Sequence, residues 1–561
     1  MVIANYEVEA PFQAPRTSTL ASLFKSVARS YPDATAVSVA GEDISYARLD
    51  ELTDQLADQL RQIGAGPGEY VGVRITSGTL DLYAGILAVL KSGAAYVPVD
   101  AEDPEERVRV VFGTADVLAV LTDGFQIEAC RAPRITGREL SPESDAWVIF
   151  TSGTTGAPKG VAVSHRSAVA FIRAEQSLWE VWPSDRVLAG LSISFDASCE
   201  EIWTAWSNGA ALVPIPRSVV RSGLEMGPWM RDRNISVVSS VPTLAAMWDH
   251  DVLEGVRLLI LGGEALPEPL GHHLAQHCEV WNTYGPTEAT VVSTAARVRV
   301  GEPITIGFAL NGWETALIDE DGRPVELGDP GELVIGGVGL GRYLDPKLDK
   351  ERYAAIPHLG WDRAYRSGDV VRETPDGYAF VGRRDDQVKI GGRRIELGEV
   401  DARLAECDGV LASASTVQQS ASGNKILVGY VVARTGTTLD TIAIRDQVSR
   451  FLSGGIAPLV IQVESLPQKS SGKVDRKALP WPPPESIADD TDLGVTGAWI
   501  AQCWTDQLGP LPFSATSNFF HMGGTSLSAA RLVNALRERF PGVAISDVYL
   551  HPEIADLASH L

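Results

Sequence analysis

Cationic charge is scarce in this sequence: 48 Lys and Arg stand against 72 Asp and Glu, a formal net charge of −24. Sequence-independent binding to nucleic acid or to anionic lipid needs a surplus of Lys and Arg, so neither is a natural partner, and small molecules and proteins are. Cysteine is sparse as well. Cys130, Cys199, Cys278, Cys407 and Cys503 lie far apart, with no C-x-x-C pair and no His at zinc spacing, which fits a reduced chain without a structural metal. No apolar stretch approaches the ~20 residues that span a bilayer. Residues 1–19 also lack a basic run followed by an apolar core, so a soluble, cytoplasmic segment is expected.

What is present is a large, ordinary globular composition. With 561 residues, of which 45% are hydrophobic and 21% charged, the chain exceeds one hydrophobic core, and two to four domains are expected. Between residues 20 and 300, strand-like runs such as Ala36–Val39, Tyr70–Ile75, Trp147–Phe150 and Leu258–Leu261 alternate with amphipathic stretches, the pattern of parallel α/β sheets. From 304 to 381 short strands separated by turns such as Asp321-Gly322 and Asp376-Gly377 predict a small β-rich subdomain. A further unit of strands and helices follows and ends at Pro480-Trp481-Pro482-Pro483-Pro484, which reads as a stiff linker. Helix-like segments at Gly497–Leu508, Ser526–Phe540 and Pro552–Leu561 then predict a small helical bundle.

The densest chemical signal is Thr151-Ser152-Gly153-Thr154-Thr155-Gly156-Ala157-Pro158-Lys159-Gly160, directly after a strand-like run. Its glycines let backbone N–H groups approach an anion, its hydroxyls donate further bonds and Lys159 adds charge, which together make a polyphosphate cradle. It is not a Walker loop, because the Lys is followed by Gly.

This segment resembles the phosphate loop of the adenylate-forming superfamily, which includes acyl-CoA synthetases, luciferases and the adenylation domains of nonribosomal peptide synthetases. Further matches follow in the family's order across residues 20–480: Leu90–Pro98, Phe195–Ser198, Gly262–Leu266, Asn282–Glu288, Tyr365–Asp369, Gly382–Ile390 and Ser471–Lys477. The peptide-synthetase branch fits best. A second resemblance lies in the helical tail, where Asn518–Leu527 is similar to the carrier-protein motif whose serine, here Ser526, accepts 4′-phosphopantetheine at the start of a helix. Together they imply an α/β multidomain enzyme. Its parts would be an adenylation core at 1–384 with a small β-rich subdomain, a mobile α+β subdomain at 385–480, a linker at 481–490 and a four-helix peptidyl carrier at 491–561.

The resemblance also implies roles. ATP would be held by Thr151, Ser152, Gly153, Thr154, Thr155 and Lys159, by Gly263, Glu264 and Ala265, and by Asn282, Tyr284, Gly285 and Thr287. Tyr284 would stack on adenine, with Asn282 and the 263–265 backbone along its edge. Asp369 would accept the ribose hydroxyls, with Phe380 and Arg383 nearby. Glu288 would hold Mg²⁺ beside the phosphates, and Thr154 would assist catalysis. Lys473 would reach the substrate carboxylate and the α-phosphate; taken alone, its Ser-Gly-Lys-Val-Asp-Arg-Lys context reads as a solvated basic turn. Asp385 matches the hinge about which the small subdomain rotates between an adenylating and a thioester-forming arrangement.

The substrate pocket aligns as Asp196, Ala197, Glu200, Ser239, Ile260, Gly262, Thr283, Val291 and Val292, with Lys473 at the carboxylate end. Asp196 matches the aspartate that pairs with an α-ammonium, which implies an amino acid. Glu200 is the unusual member, because a carboxylate facing a closed pocket requires a cation. The set resembles lysine pockets, with ornithine, diaminobutyrate and β-lysine behind; Glu200 turned to solvent, or protonated, is the alternative.

Three departures from the family's pattern stand out: His521 where carriers often have Asp, the segment Phe451–Pro458, and Gly339–Tyr343, one residue short. The chain reads as a loading module or as a piece of a longer synthetase, in nonribosomal peptide or antibiotic biosynthesis. Its partners would be a phosphopantetheinyl transferase, a downstream condensation or tailoring enzyme and a small accessory activator protein. The rival readings are an acyl- or aryl-CoA synthetase and a catalytically silent carrier scaffold.

Overall fold

The computed structural model describes residues 18–134, 137–152, 158–222, 225–248, 250–452, 456–468, 474–483 and 493–561. Two sheets form the body of the chain. In the first, nine strands run in the spatial order Phe308–Ala309, Thr294–Val298, Glu279–Tyr284, Leu258–Leu261, Val237–Ser240, Arg186–Ala189, Ala211–Pro214, Thr35–Val39 and Glu42–Ser45. The second has seven strands and includes Tyr70–Arg74, Ala95–Pro98 and Asp145–Thr151.

The central strands are buried on both faces, as Leu-Leu-Ile-Leu at 258–261 shows, and they pair in parallel with their neighbours. The expectation of parallel sheets needs one correction. Both sheets are mixed: Glu279–Tyr284 pairs antiparallel with Thr294–Val298, and Asp145–Thr151 pairs antiparallel with Lys159–Ser164. The second pairing sets Thr151 opposite Lys159, so the described ends of the Ser/Thr/Gly segment are fixed by ladder bonds.

Residues 313–383 form a five-stranded antiparallel sheet in which Trp361–Thr374 is central, and Gly322 and Gly377 adopt the positive φ that their turns require. Beyond it stands a two-stranded hairpin, Gln387–Ile390 with Arg393–Glu396. A three-stranded sheet follows, made of Val410–Gln419, Lys425–Ala433 and Leu459–Gln462, with helices Leu397–Ala405 and Thr441–Ser449.

The tail holds four helices among the described residues: Gly494–Leu508, Ser526–Arg537, Ile545–Leu550 and Ile554–His560. The third, only six residues long, escapes the sequence pattern. Trp504 fills the bundle's centre, edge-on to Phe513 and Phe519. The described part of the proline-rich stretch is not a free spacer. Trp481 is packed among the apolar residues of the bundle and of the three-stranded sheet, and Tyr430 donates a hydrogen bond to the Pro480 carbonyl at 2.9 Å. No described helix is long and apolar enough to cross a membrane.

Candidate active site

The carboxyl ends of the parallel strands meet at a cavity of about 750 Å³. Its wall includes Asp196, Ala197, Glu200, Ser239, Gly262, Thr283, Val291 and Val292, so eight of the ten expected pocket positions converge there. Ile260 does not line it; the register partner of Ser239, it belongs to the main hydrophobic core. Lys473 lies outside the described residues. The same cavity is walled by Gly263, Tyr284, Gly285, Thr287, Asp369 and Arg383, which brings the expected nucleotide and substrate positions into one space.

Helix Ala197–Trp206 presents both acids. Asp196 occupies the N-cap position but makes no side-chain capping bond, so its carboxylate is left for the cavity. Glu200 follows one turn later on the same face. Glu201 turns the other way and accepts the backbone N–H groups of Gly190 and Leu191.

Burial pushes the Asp196 carboxyl up to about 6, with Glu288 adding to the shift and Thr287 and Lys389 opposing it. Burial raises Glu200 too, against hydrogen bonds from Glu175 and Ser239. Glu200 is only 3% exposed, which disposes of the solvent-facing alternative. Opposite these acids the chain turns sharply: Thr290 and Val291 have φ of 62° and 63°, a strained conformation for β-branched residues. Thr290 Oγ1, bonded to the Gly339 carbonyl at 2.6 Å, holds the turn.

On the nucleotide side, the Tyr284 hydroxyl donates to Asp369 at 2.5 Å and Arg383 donates to the same carboxylate at 2.7 Å. Arg383 also forks onto Asp385, at 2.7 and 2.8 Å, which ties the expected hinge residue to the core. Other expected positions stand apart from the cavity. Asn282 is buried and donates to the Thr305 carbonyl at 2.7 Å, Glu264 accepts from Thr243, and Phe380 is exposed on its strand. Ala265 is not part of the wall either. Thr151 and Ser152 line a neighbouring cavity, and Lys159 a third, beside Asp385 and Arg394. Gly153, Thr154 and Thr155 lie outside the described residues.

The hairpin Gln387–Glu396 lies over this site. At its tip, Gly392 has φ +77° and so close an approach that a Cβ there would stand 2.6 Å from Val241 Cγ1; no other residue fits. Lys389 lines the cavity, 6.0 Å from the centre of the Tyr284 ring. Arg394 reaches Glu288 with both carboxylate oxygens at 2.8 and 3.0 Å, and Tyr343 donates to the same group. Burial opposes the charge on Glu288, but Arg394 and Tyr343 outweigh it and hold its carboxyl below the ordinary value.

Ser526 begins helix Ser526–Arg537. The N-cap is Thr525, in a reciprocal box with Ser528, so the Ser526 hydroxyl is not needed for capping. Tyr549 donates to it at 2.8 Å. Ser526 stands at the wall of a second, larger cavity, about 1530 Å³, shared with Asp100 and Arg217 of the core and with Ile390, Gly391 and Arg393 of the hairpin. The bundle is docked there through Asn424, which donates to Gln507 Oε1 at 2.8 Å, and through Arg445, which donates to the Phe520 carbonyl at 3.0 Å.

The family description "AMP-binding enzyme" matches residues 24–138 and 128–343, and "phosphopantetheine attachment site" matches 498–561. Syringomycin synthase SyrB1 of Pseudomonas syringae pv. syringae is 32% identical over 93% of this chain and 92% of its own. The chain belongs to the AMP-binding enzymes, in the adenylation–carrier arrangement of nonribosomal peptide synthetases. The phosphinothricin tripeptide synthetase PhsC of Streptomyces viridochromogenes is 35% identical over 98% of this chain, which spans about half (54%) of that synthetase. Holo-PA1221, solved as an NRPS protein containing adenylation and PCP domains bound to a vinylsulfonamide inhibitor, superposes with a TM-score of 0.82 at 27% identity, over 97% of this chain and 96% of that one.

Within this adenylation–carrier fold, sequence reasoning missed Arg394, Lys389 and Glu175. Arg393-Arg394 after two glycines was a visible signal for the first, since a cation on a close-approach hairpin needs an acid to meet. Glu175 had none: it is a helical glutamate whose burial depends on packing.

Removing one partner of a buried ion pair costs about 3–5 kcal/mol. Arg394→Ala should therefore release the hairpin, and amide hydrogen exchange across residues 387–396 should quicken by about tenfold or more. Unchanged exchange there would mean that the pair does not hold it.

Proposed function

We propose that the protein activates an amino acid with ATP as the aminoacyl adenylate, releasing pyrophosphate, and transfers the acyl group to phosphopantetheine on its own Ser526. The observation that carries this reading is the pair of adjoining cavities: one walled by the amino-acid and nucleotide positions, the other by Ser526, both bounded by the hairpin 387–396. In adenylation a substrate carboxylate oxygen attacks the α-phosphorus and pyrophosphate leaves. Asp196 would orient the α-ammonium, Tyr284 the adenine and Asp369 the ribose, while the 151–159 segment with Lys159 and Lys473 would meet phosphate charge. Bound phosphopantetheine would supply the thiol that accepts the acyl group.

Glu288, next to Thr287 of the cavity wall, would hold Mg²⁺, which would draw its other oxygens from water and phosphate. Both Glu288 oxygens are bonded to Arg394 here, so a metal in that role would compete with Arg394 for the same charge. This competition supports Asp385 as the hinge, with the present arrangement on the thioester-forming side.

The substrate we infer is a basic amino acid, lysine first. Glu200 faces a wall of Ala197, Val291 and Val292, and no ion pair reaches it among the described residues. The partners that follow are a phosphopantetheinyl transferase, neighbouring synthetase modules or tailoring enzymes and an accessory activator, and the setting is cytoplasmic peptide antibiotic biosynthesis. An aryl- or acyl-CoA ligase would have no use for Asp196 or for the docked carrier.

Half-reactions test the core of this proposal. Ser526→Ala should keep ATP–pyrophosphate exchange and abolish covalent loading; Lys473→Ala should lose exchange by ~10²-fold or more, yet still load supplied aminoacyl adenylate. The opposite pattern would refute the roles.

Asp196 sets a pH dependence. A carboxyl raised to about 6 is ionised above that pH and protonated below it, so kcat/KM for the amino acid should fall about tenfold per unit as pH drops below 6. A flat profile down to pH 5 would exclude Asp196 as the ammonium's partner.

For the side chain, lysine should be preferred over norleucine by about tenfold or more in exchange, the value of one charge-assisted hydrogen bond. Glu200→Gln should erase that preference and leave the KM for ATP unchanged. Best activity with a neutral or acidic amino acid would sink the basic-substrate reading but not the adenylation reading.

A further inference from the structure

Glu200 has a partner that the cavity wall does not reveal. Glu175 lies near the end of helix His165–Gln176, which packs on helix Ala197–Trp206, and its carboxyl group hydrogen-bonds with that of Glu200. Both side chains are buried, each residue 3% exposed. The Oε1 atoms of both receive no donor from any other described residue, while Glu200 Oε2 accepts from Ser239 Oγ. Glu175 shares a small cavity with Ile172, Trp179 and Trp203 and with the uncharged polar residues Gln176, Thr204 and Asn208, and among the described residues no ion pair reaches either acid. Glu201, next in sequence, is committed to the Gly190 and Leu191 amides and takes no part.

Two buried carboxyl groups in contact without a cation cannot both ionise, so one proton stays between them. Glu200 already accepts from Ser239 Oγ, a bond that favours its ionised form, whereas Glu175 Oε1 has no donor among the described residues. The charge therefore belongs to Glu200, and Glu175 is the donor.

We propose that Glu175 is a positioning residue for substrate selection: a neutral carboxyl that donates to Glu200 and, with Ser239 on the other side, fixes one carboxylate charge at the cavity wall for the terminal cation of the substrate. This deepens the basic-substrate reading and rests on it. Without the donor, Glu200 would lose a bond that favours its charge and would take up the proton itself. An ammonium arriving from the cavity would then meet a neutral acid free to rotate. With the donor, it meets a single charge already oriented, and the pair's second negative charge never forms.

The test uses the full chain in lysine- and norleucine-dependent ATP–pyrophosphate exchange. Glu175→Leu keeps the volume and removes the donor; it should raise the KM for lysine by about tenfold, leaving kcat and the norleucine parameters in place. Glu175→Gln keeps an N–H donor in the same shape and should restore the lysine KM to within about threefold of wild type. Thermal melting checks the fold of each variant, and Glu175→Met carries the same expectation if the leucine variant does not fold. An unmoved lysine KM in the donor-less variant, equal losses with Gln and Leu, or equal losses for lysine and norleucine would each overturn the positioning role. A wild type indifferent between lysine and norleucine would overturn the basic-substrate reading and this role with it. A lysine-preferring wild type with an unmoved leucine variant would overturn this role alone.

Discussion

Glu288 is a fully buried carboxylate, and the guanidinium of Arg394 makes its charge tolerable there. That bond joins the core to the hairpin of the small subdomain, and the rest of the site is arranged around it. It places Lys389 against Tyr284, presses Gly392 onto Val241 and puts Ile390, Gly391 and Arg393 along the cavity where Ser526 stands. The subdomain's position and the charge of Glu288 are thus linked.

The other buried acids meet the same constraint by different means. Glu201 takes two backbone N–H groups, Asp369 takes Tyr284 and Arg383, and Glu200 shares a proton with Glu175. Asp196 is also incompletely compensated: Thr287 and Lys389 favour its charge, yet burial still raises it to about 6. A charge that the protein leaves incompletely paired is one that a ligand can complete.

Much of this could be read from the residues. The motif order from Leu90–Pro98 to Gly382–Ile390, the β-rich texture around Asp321-Gly322 and the Ser526 segment led to the architecture, because short motifs at strand ends depend on local backbone chemistry. Pocket alignment placed Asp196, Glu200, Ser239, Val291 and Val292 on one wall. Asn282, an expected nucleotide position, points to the face opposite Thr283 by strand alternation, whereas Ile260 shares the face of its register partner Ser239 and is covered by core residues. The antiparallel strands within both sheets were not legible either, since apolar runs carry no direction. Glu175 was invisible for a deeper reason: a helical glutamate reads as a solvated face, and only the packing of two helices decides that its carboxyl group meets another. The helix Ile545–Leu550 is too short to show a period.

Covering Glu288 has a consequence for the order of events. A carboxylate paired with a guanidinium has its charge already met, so a metal–phosphate cluster at the same place would compete with Arg394 for it. Under the proposed reading, the arrangement that pairs Glu288 with Arg394 and the one that gives it to a metal–phosphate cluster would therefore compete for one charge. Arg383 strengthens the alternation, because it bonds at once to Asp369 in the core and to Asp385 at the boundary of the small subdomain. A ribose competing for Asp369 would loosen one end of that bridge, and its departure would tighten it. Under the proposed reading, two half-reactions with opposite charge requirements would then draw in turn on the same few ionic contacts between the two adjoining cavities.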